Sequence, residues 1–268
     1  MAKKKIRNPR GIGPRVKDEK AYERLIKTEI LKPLFSNTMK RLESVPKFKT
    51  AFENVVNEEF LSAMSKENYG VDVATKAVDN LRRVQKAQII RNFQAALGID
   101  VNPFMSDLNI RAAMNQAIFD NVSLIRSIPQ KLNLEIVSVM QKTFEEKGFD
   151  EQSMIKVIED RFKVAGSRAK LIASDQTGKI IGNLNEARQT DLGVTSYTWR
   201  TMEDEAVVGT PGGLYPKGNP AHMNHFERDG VVFLWAAPPP DGHPGQAINC
   251  RCFAQAIIPE VQLQEVNG

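Results

Sequence analysis

The sequence predicts an α+β protein, with a mostly helical N-terminal two-thirds followed by a small C-terminal module. In that module a long helix packs on a short antiparallel sheet with long Gly/Pro-rich loops. Three observations lead there. Apolar residues recur at helical spacing up to about residue 190, with hardly a strand signal among them. Period-two alternation sets in after Gly193, in VTSYTWRTM, VVFLW and CFAQAII. Between these runs lie GTPGGLYPKGNP and APPPDGHPG, loops long for so small a module, as loops are when they are functional or held in place.

Residues 1–20 hold eight basic side chains against Asp18 and Glu19, which leaves 29 basic and 30 acidic residues in a near-neutral body. With few large apolar residues, this stretch reads as a disordered basic tail. Lys3, Lys4, Lys5, Arg7, Arg10 and Arg15 then form an arm suited to double-stranded DNA phosphate or an acidic partner. Helical periodicity begins at Ala21. Leu25, Ile26, Ile30, Leu31 and Leu34 make one stripe, which Pro33 should kink or end. Phe48, Phe52, Val55, Val56 and Phe60 make a second, and Val71 to Leu97 a third, closed by Gly98. An element around Ile110–Ile128 should break at Pro129, which suits the first turn of a further helix running to Gly148. Asp150 caps the next, with Met154, Ile155, Ile158 and Phe162 inward, and Ser167 caps a longer one ended by Gly193. In the first strand, Tyr197, Trp199 and Thr201 share the buried face.

The chain of 268 residues exceeds the usual single domain, so two folding units are expected. Their boundaries are drawn at a helical region 21–165 and a C-terminal domain 166–260, with a short tail at 261–268. The absence of any run of about 18 apolar residues argues against a membrane span. The basic N-terminus lacks the apolar stretch of a secretory signal, and the cysteine usage suggests no oxidising compartment, so the cytoplasm is the default.

All three histidines and both cysteines fall between residues 222 and 252. His222, His225, His243, Cys250 and Cys252 are therefore candidate ligands of a metal, with zinc the first candidate because it takes imidazole and thiolate in tetrahedral sets. A purely structural reading places Cys250 and Cys252 as strand residues, one inward and one outward, with the histidines on loops. The residue types of a metal-dependent nuclease are also present in Asp204, His225, Glu227 and His243. They lack a familiar spacing, and neither a phosphate-binding glycine loop nor a Ser–His–Asp signature occurs. Arg251, between the cysteines, should hold a carboxylate, with Asp204 or Asp229 as its partner.

The segment from about Asp120 to Ile258 resembles the phage Mu F-like minor head proteins, the phage head morphogenesis family. The resemblance is carried in order by LIRSIPQKL, GFDEQSMIKVIEDRF, the RAKLIASDQTGKI…NEAR helix, LGVTSYTWRTMEDEAV, HFERDG, PPPDGHPG and NCRC. It marks Trp199, Asp204, His225, Asp229, Gly230 and Arg251 as a structural motif. It implies a non-enzymatic minor capsid protein at the portal vertex inside the head, made in the host cytoplasm and acting in head morphogenesis and DNA packaging, retention or ejection. The portal protein, scaffolding or major capsid protein, and double-stranded DNA are its implied partners. The alternative from a different class is a metal-dependent nuclease or toxin-like enzyme using the histidine cluster.

Overall fold

The computed structural model describes residues 8–105, 107–217 and 224–258. Lys3, Lys4, Lys5, Arg7, His222 and the expected tail at 261–268 lie outside them. The helices are α1 (Val16–Ile26), α2 (Lys32–Glu43), α3 (Lys49–Met64), α4 (Val71–Leu97), α5 (Asp107–Lys147) and α6 (Glu151–Asp191). The strands are β1 (Ser196–Arg200), β2 (Val232–Leu234) and β3 (Phe253–Ala256). Helices before, a small antiparallel sheet after: the class is α+β. No described helix is long and apolar enough to cross a membrane.

The break expected at Pro33 takes the form of a π turn, Lys27–Leu31, after which Pro33 sits in the first turn of α2. The helical expectations fail at Pro129 and Ser167, each for a reason of packing. Pro129 lies inside α5 rather than opening a new helix. An interior proline costs about 3 kcal/mol, but Ile125, Ile128, Leu132, Ile136 and Met140 are buried around it in one cluster. Burying such side chains contributes about 1.5–3 kcal/mol each, so packing wins. Ser167 likewise starts nothing, because buried Phe162, Ala165, Ala169 and Ile172 keep the helical spacing through it. The true cap is Asp150, whose carboxylate accepts the Ser153 N–H at 2.8 Å. In the α3 stripe, Phe52, Val55, Val56 and Phe60 are buried as expected, while Phe48 stands before the helix in extended backbone and is exposed.

The described residues of Met1–Asp18, Val78–Ala117 and Asp175–Gly268 form one compact unit, and those of Glu19–Ala77 and Ile118–Ser174 a second. The division falls within α1, α4, α5 and α6 and not at the expected 165/166 boundary. The second unit has a continuous apolar core from Tyr22 through Phe52, Phe60, Ile125 and Met154 to Ala173. In it, the buried Tyr22 hydroxyl donates to Asn121 Oδ1 at 2.5 Å.

The first unit carries the sheet, ordered β2-β1-β3 with both pairings antiparallel. Tyr197 stands opposite Phe233 on one side and Ala256 on the other, and Trp199 opposite Ala254. The tail expectation fails for its described part. Ile12 is buried, Asn185 donates to its carbonyl at 2.7 Å, and Gln255 donates to that of Pro9 at 3.1 Å. Gly11 and Gly13 lie so close against the Phe253 ring that a side chain at either would strike it. Arg15 is paired with Asp18 at 2.5 Å, and of the described arm residues only Arg10 is exposed. Spacing alone could not show that the small residues of this stretch are shaped to lie under an aromatic ring.

Candidate metal centre

The site forms where β1, the turn after residue 224 and the approach to β3 meet. Tyr197 and Trp199 point inward from β1. The β1 backbone is closed off by the turn at Asp229–Gly230. The Gly230 N–H donates to Trp199 O and the Trp199 N–H to Val231 O, each at 2.9 Å, and Gly230 takes the φ of +82° that glycine favours. The Asp229 carboxylate accepts the Thr201 N–H at 2.9 Å and stands 3.5 Å from Arg200. Arg251 pairs with Asp204 at 2.7 Å, the first of the two partners named from sequence.

The approach to β3 is laid directly on α6. Asn249 adopts a left-handed φ of +54° and donates its N–H to Asp175 of that helix at 2.8 Å. A Cβ at Gly178 would stand 2.5 Å from the Cys250 carbonyl oxygen, and one at Gly182 2.5 Å from that of Pro244. The two helical glycines therefore let loop backbone rest against the helix.

Cys250 and Cys252 are both buried, which corrects the reading of one inward and one outward. Residues two apart on an extended chain share a face. Both thiols meet His225, whose Nδ1 lies 3.5 Å from Cys250 Sγ and 3.6 Å from Cys252 Sγ. The three donor atoms all lie within 4.8 Å of one another, so this cluster could hold a metal ion. On the far side of the ring, His225 Nε2 is 2.9 Å from Asp241, whose other oxygen accepts from Arg228 at 2.7 Å. Arg228 in turn stacks over Trp199 at 4.8 Å and is itself buried. A carboxylate fixing a histidine from behind is the usual support of an imidazole that ligates through its other nitrogen.

The electrostatics of the cluster follow from these contacts. Burial pushes the His225 imidazole down, but hydrogen bonds and charge from Cys250 and Asp241 outweigh it and raise it above its ordinary value. Asp241 is pushed up by burial and, more strongly in sum, held down by Arg228 and His225. The Cys250 thiol is held well below the usual range by Cys252, against burial and with help from His225. Cys252 is driven up by Cys250 and by burial. The two shifts are opposite in direction, each set by the neighbouring sulfur.

His243 does not join this cluster, which corrects its place among the ligands. Its Nε2–H donates to Trp235 O at 3.1 Å, and its Nδ1 accepts from the Tyr197 hydroxyl at 2.8 Å. Both ring nitrogens are occupied, and burial lowers its affinity for a proton, with Glu186 acting the other way. The hydrolytic set also falls apart. Glu227 accepts the Asn224 N–H at 2.9 Å, and Asp204 is bound to Arg251. Asp204 and His225 do line one cleft of about 440 Å³, with Asp241, Cys250, Cys252 and Ile248, but Glu227 and His243 do not. Sequence reasoning missed Asp241 and Arg228. The signal was there in the Asp-Gly turn of PPPDGHPG and in an arginine beside an Asp-Gly turn, but nothing linear ties either to His225.

No family model and no solved structure matches the chain. It is similar to an uncharacterized protein of Haemophilus influenzae, at 32% identity over 175 residues. That match covers 64% of this chain, which spans only 36% of the relative's own length.

Proposed function

We propose that the chain is a structural minor head protein of a tailed phage, bound at the portal vertex inside the head. Its work there is head morphogenesis and the packaging, retention or ejection of double-stranded DNA, with the portal protein as its principal partner and scaffolding or major capsid protein as others. The observation that carries the reading is where the resemblance-bearing residues go. Trp199, Asp204, His225, Asp229, Gly230, Arg251 and the two cysteines are separated by up to 53 positions, yet each is engaged with another part of the same module. Such a set fits a rigid knob presented to an assembly. Exposed apolar side chains on the helices, among them Leu61, Phe119 and Leu134, supply surface for docking.

Zinc is the metal that suits the cluster. Zinc–sulfur and zinc–nitrogen bonds of about 2.3 and 2.0–2.1 Å at tetrahedral angles separate N from S by about 3.5–3.6 Å. Nδ1 stands 3.5 and 3.6 Å from the two sulfurs. His225, Cys250 and Cys252 would hold the ion, and its role is to cross-link the turn at residue 225 to the start of β3.

The test is co-expression with the portal protein of the same phage. The chain is expected to co-purify with the portal ring and to leave DNA intact in the presence of Mg²⁺, Mn²⁺ or Zn²⁺. Turnover of DNA that disappears in His225→Ala would replace this reading with the nuclease.

A further inference from the structure

We propose that the metal held by His225, Cys250 and Cys252 has one coordination position open to the adjoining cleft, where it takes a monodentate anionic donor, a carboxylate or thiolate, from outside the chain. The inference rests on the zinc reading above and adds a ligand to it.

Three protein donors leave a tetrahedral ion one short. Among the described residues no fourth His, Cys, Asp or Glu joins the cluster. The carboxylates of the adjoining cleft are committed elsewhere, Asp204 to Arg251 and Asp241 through one oxygen to His225 Nε2 and the other to Arg228, and His243 is engaged through both ring nitrogens. The three donor residues all form part of the wall of the cleft of about 440 Å³, which is many times the roughly 30 Å³ share of one water. Open zinc sites are built this way, with three protein ligands and a vacant position facing a cavity, whereas closed structural sites bury all four.

The charges of the cleft are balanced, so a monodentate anion can enter it. Two thiolates neutralise a divalent ion, so the centre itself carries no net negative charge to repel one. Arg251 lines the same cleft between the two ligand cysteines, and the two carboxylates of the lining are matched by guanidinium groups, Asp204 by Arg251 and Asp241 by Arg228. Asn224 and Asn249 add amide donors, and Val207 and Ile248 add apolar wall that weakens competition from water.

The experiment uses the full chain loaded with cobalt(II), whose visible ligand-field bands report the donor set. Azide, acetate and 2-mercaptoethanol are titrated in turn at fixed pH. Each is expected to shift the bands saturably with no loss of bound cobalt, and Arg251→Ala is expected to keep its cobalt while binding azide severalfold more weakly. His222→Ala is expected to respond as the unaltered chain does. Bands indifferent to all three anions overturn the inference, as does a response that emerges only in His222→Ala, since the fourth donor is then internal. Failure of the unaltered chain to bind cobalt through sulfur overturns the zinc reading itself.

Discussion

Gly178→Ala separates the packing of the loop that carries Cys250 from every other property of α6. In an ordinary exposed helix the change stabilises by about 1 kcal/mol, because alanine has the higher helix propensity. At Gly178 the new methyl would stand 2.5 Å from the Cys250 carbonyl oxygen, which is backbone and has no rotamer to change. Restoring van der Waals contact requires a displacement of roughly 1 Å. Overpacking of this kind costs about 1–3 kcal/mol, so the net effect is expected to be a loss of up to about 2 kcal/mol. In a domain of this size that lowers the Tm by about 2–4 °C per kcal/mol. The proposed metal binding should suffer more, because ligand distances tolerate only about 0.2 Å and Cys250 is the residue that moves. Gly166→Ala in the same helix is the control. A methyl there meets only the flexible end of Lys27 at 3.4 Å, so the variant should be slightly more stable and bind metal unchanged. Thermal melts and zinc competition against a chromophoric chelator read both. If Gly178→Ala gained stability as Gly166→Ala does and kept its zinc affinity, the close approach would not be what seats the loop.

Further expectations concern neighbouring groups. Asp241→Asn removes the carboxylate behind His225 and should weaken zinc binding about 10–100-fold, measured by the same competition. Arg251→Ala and Asp204→Ala should each lose stability, with a coupling of about 0.2–1 kcal/mol in a double-mutant cycle, since the pair is only partly buried. His243 has a lowered proton affinity in the fold, so its contribution is complete above the ordinary value of 6.5 and is lost as pH falls from there towards its folded value. Comparing His243→Gln with the unaltered chain should show a shallower loss of Tm on acidification, and His225, present in both, cancels. Replacing Lys3, Lys4, Lys5 and Arg7 by Gln should reduce the salt slope of DNA binding by up to about 0.9 for each phosphate that is no longer neutralised. An unchanged slope would remove the DNA-binding arm from the picture. Deleting residues 1–20 is the poorer test of the arm, because it also removes the packed Ile12.

What could be read without coordinates was whatever has a short period or a local geometric demand. The stripe from Phe52 to Phe60, the cap at Asp150, the glycines after α4, α5 and α6 and the alternation of Tyr197 and Trp199 all depend on residues a few positions apart. The clustering of His225, Cys250 and Cys252 in sequence also pointed to the stretch whose side chains meet in the structure. Where linear reasoning failed, distant atoms outweighed the local preference. Proline belongs at a helix start by its own chemistry, but Pro129 stays inside α5 because apolar neighbours on both sides are buried in one core. Whether His225 or His243 faces the thiols depends on which partners hold each ring: Asp241 positions the first, Tyr197 and Trp235 engage the second. Composition and periodicity determined that the chain would be helices followed by a small sheet. Only tertiary structure decided which rare side chains meet, because a metal-ligand set is defined by distances of a few ångströms between atoms that the sequence separates by 25 and 27 residues.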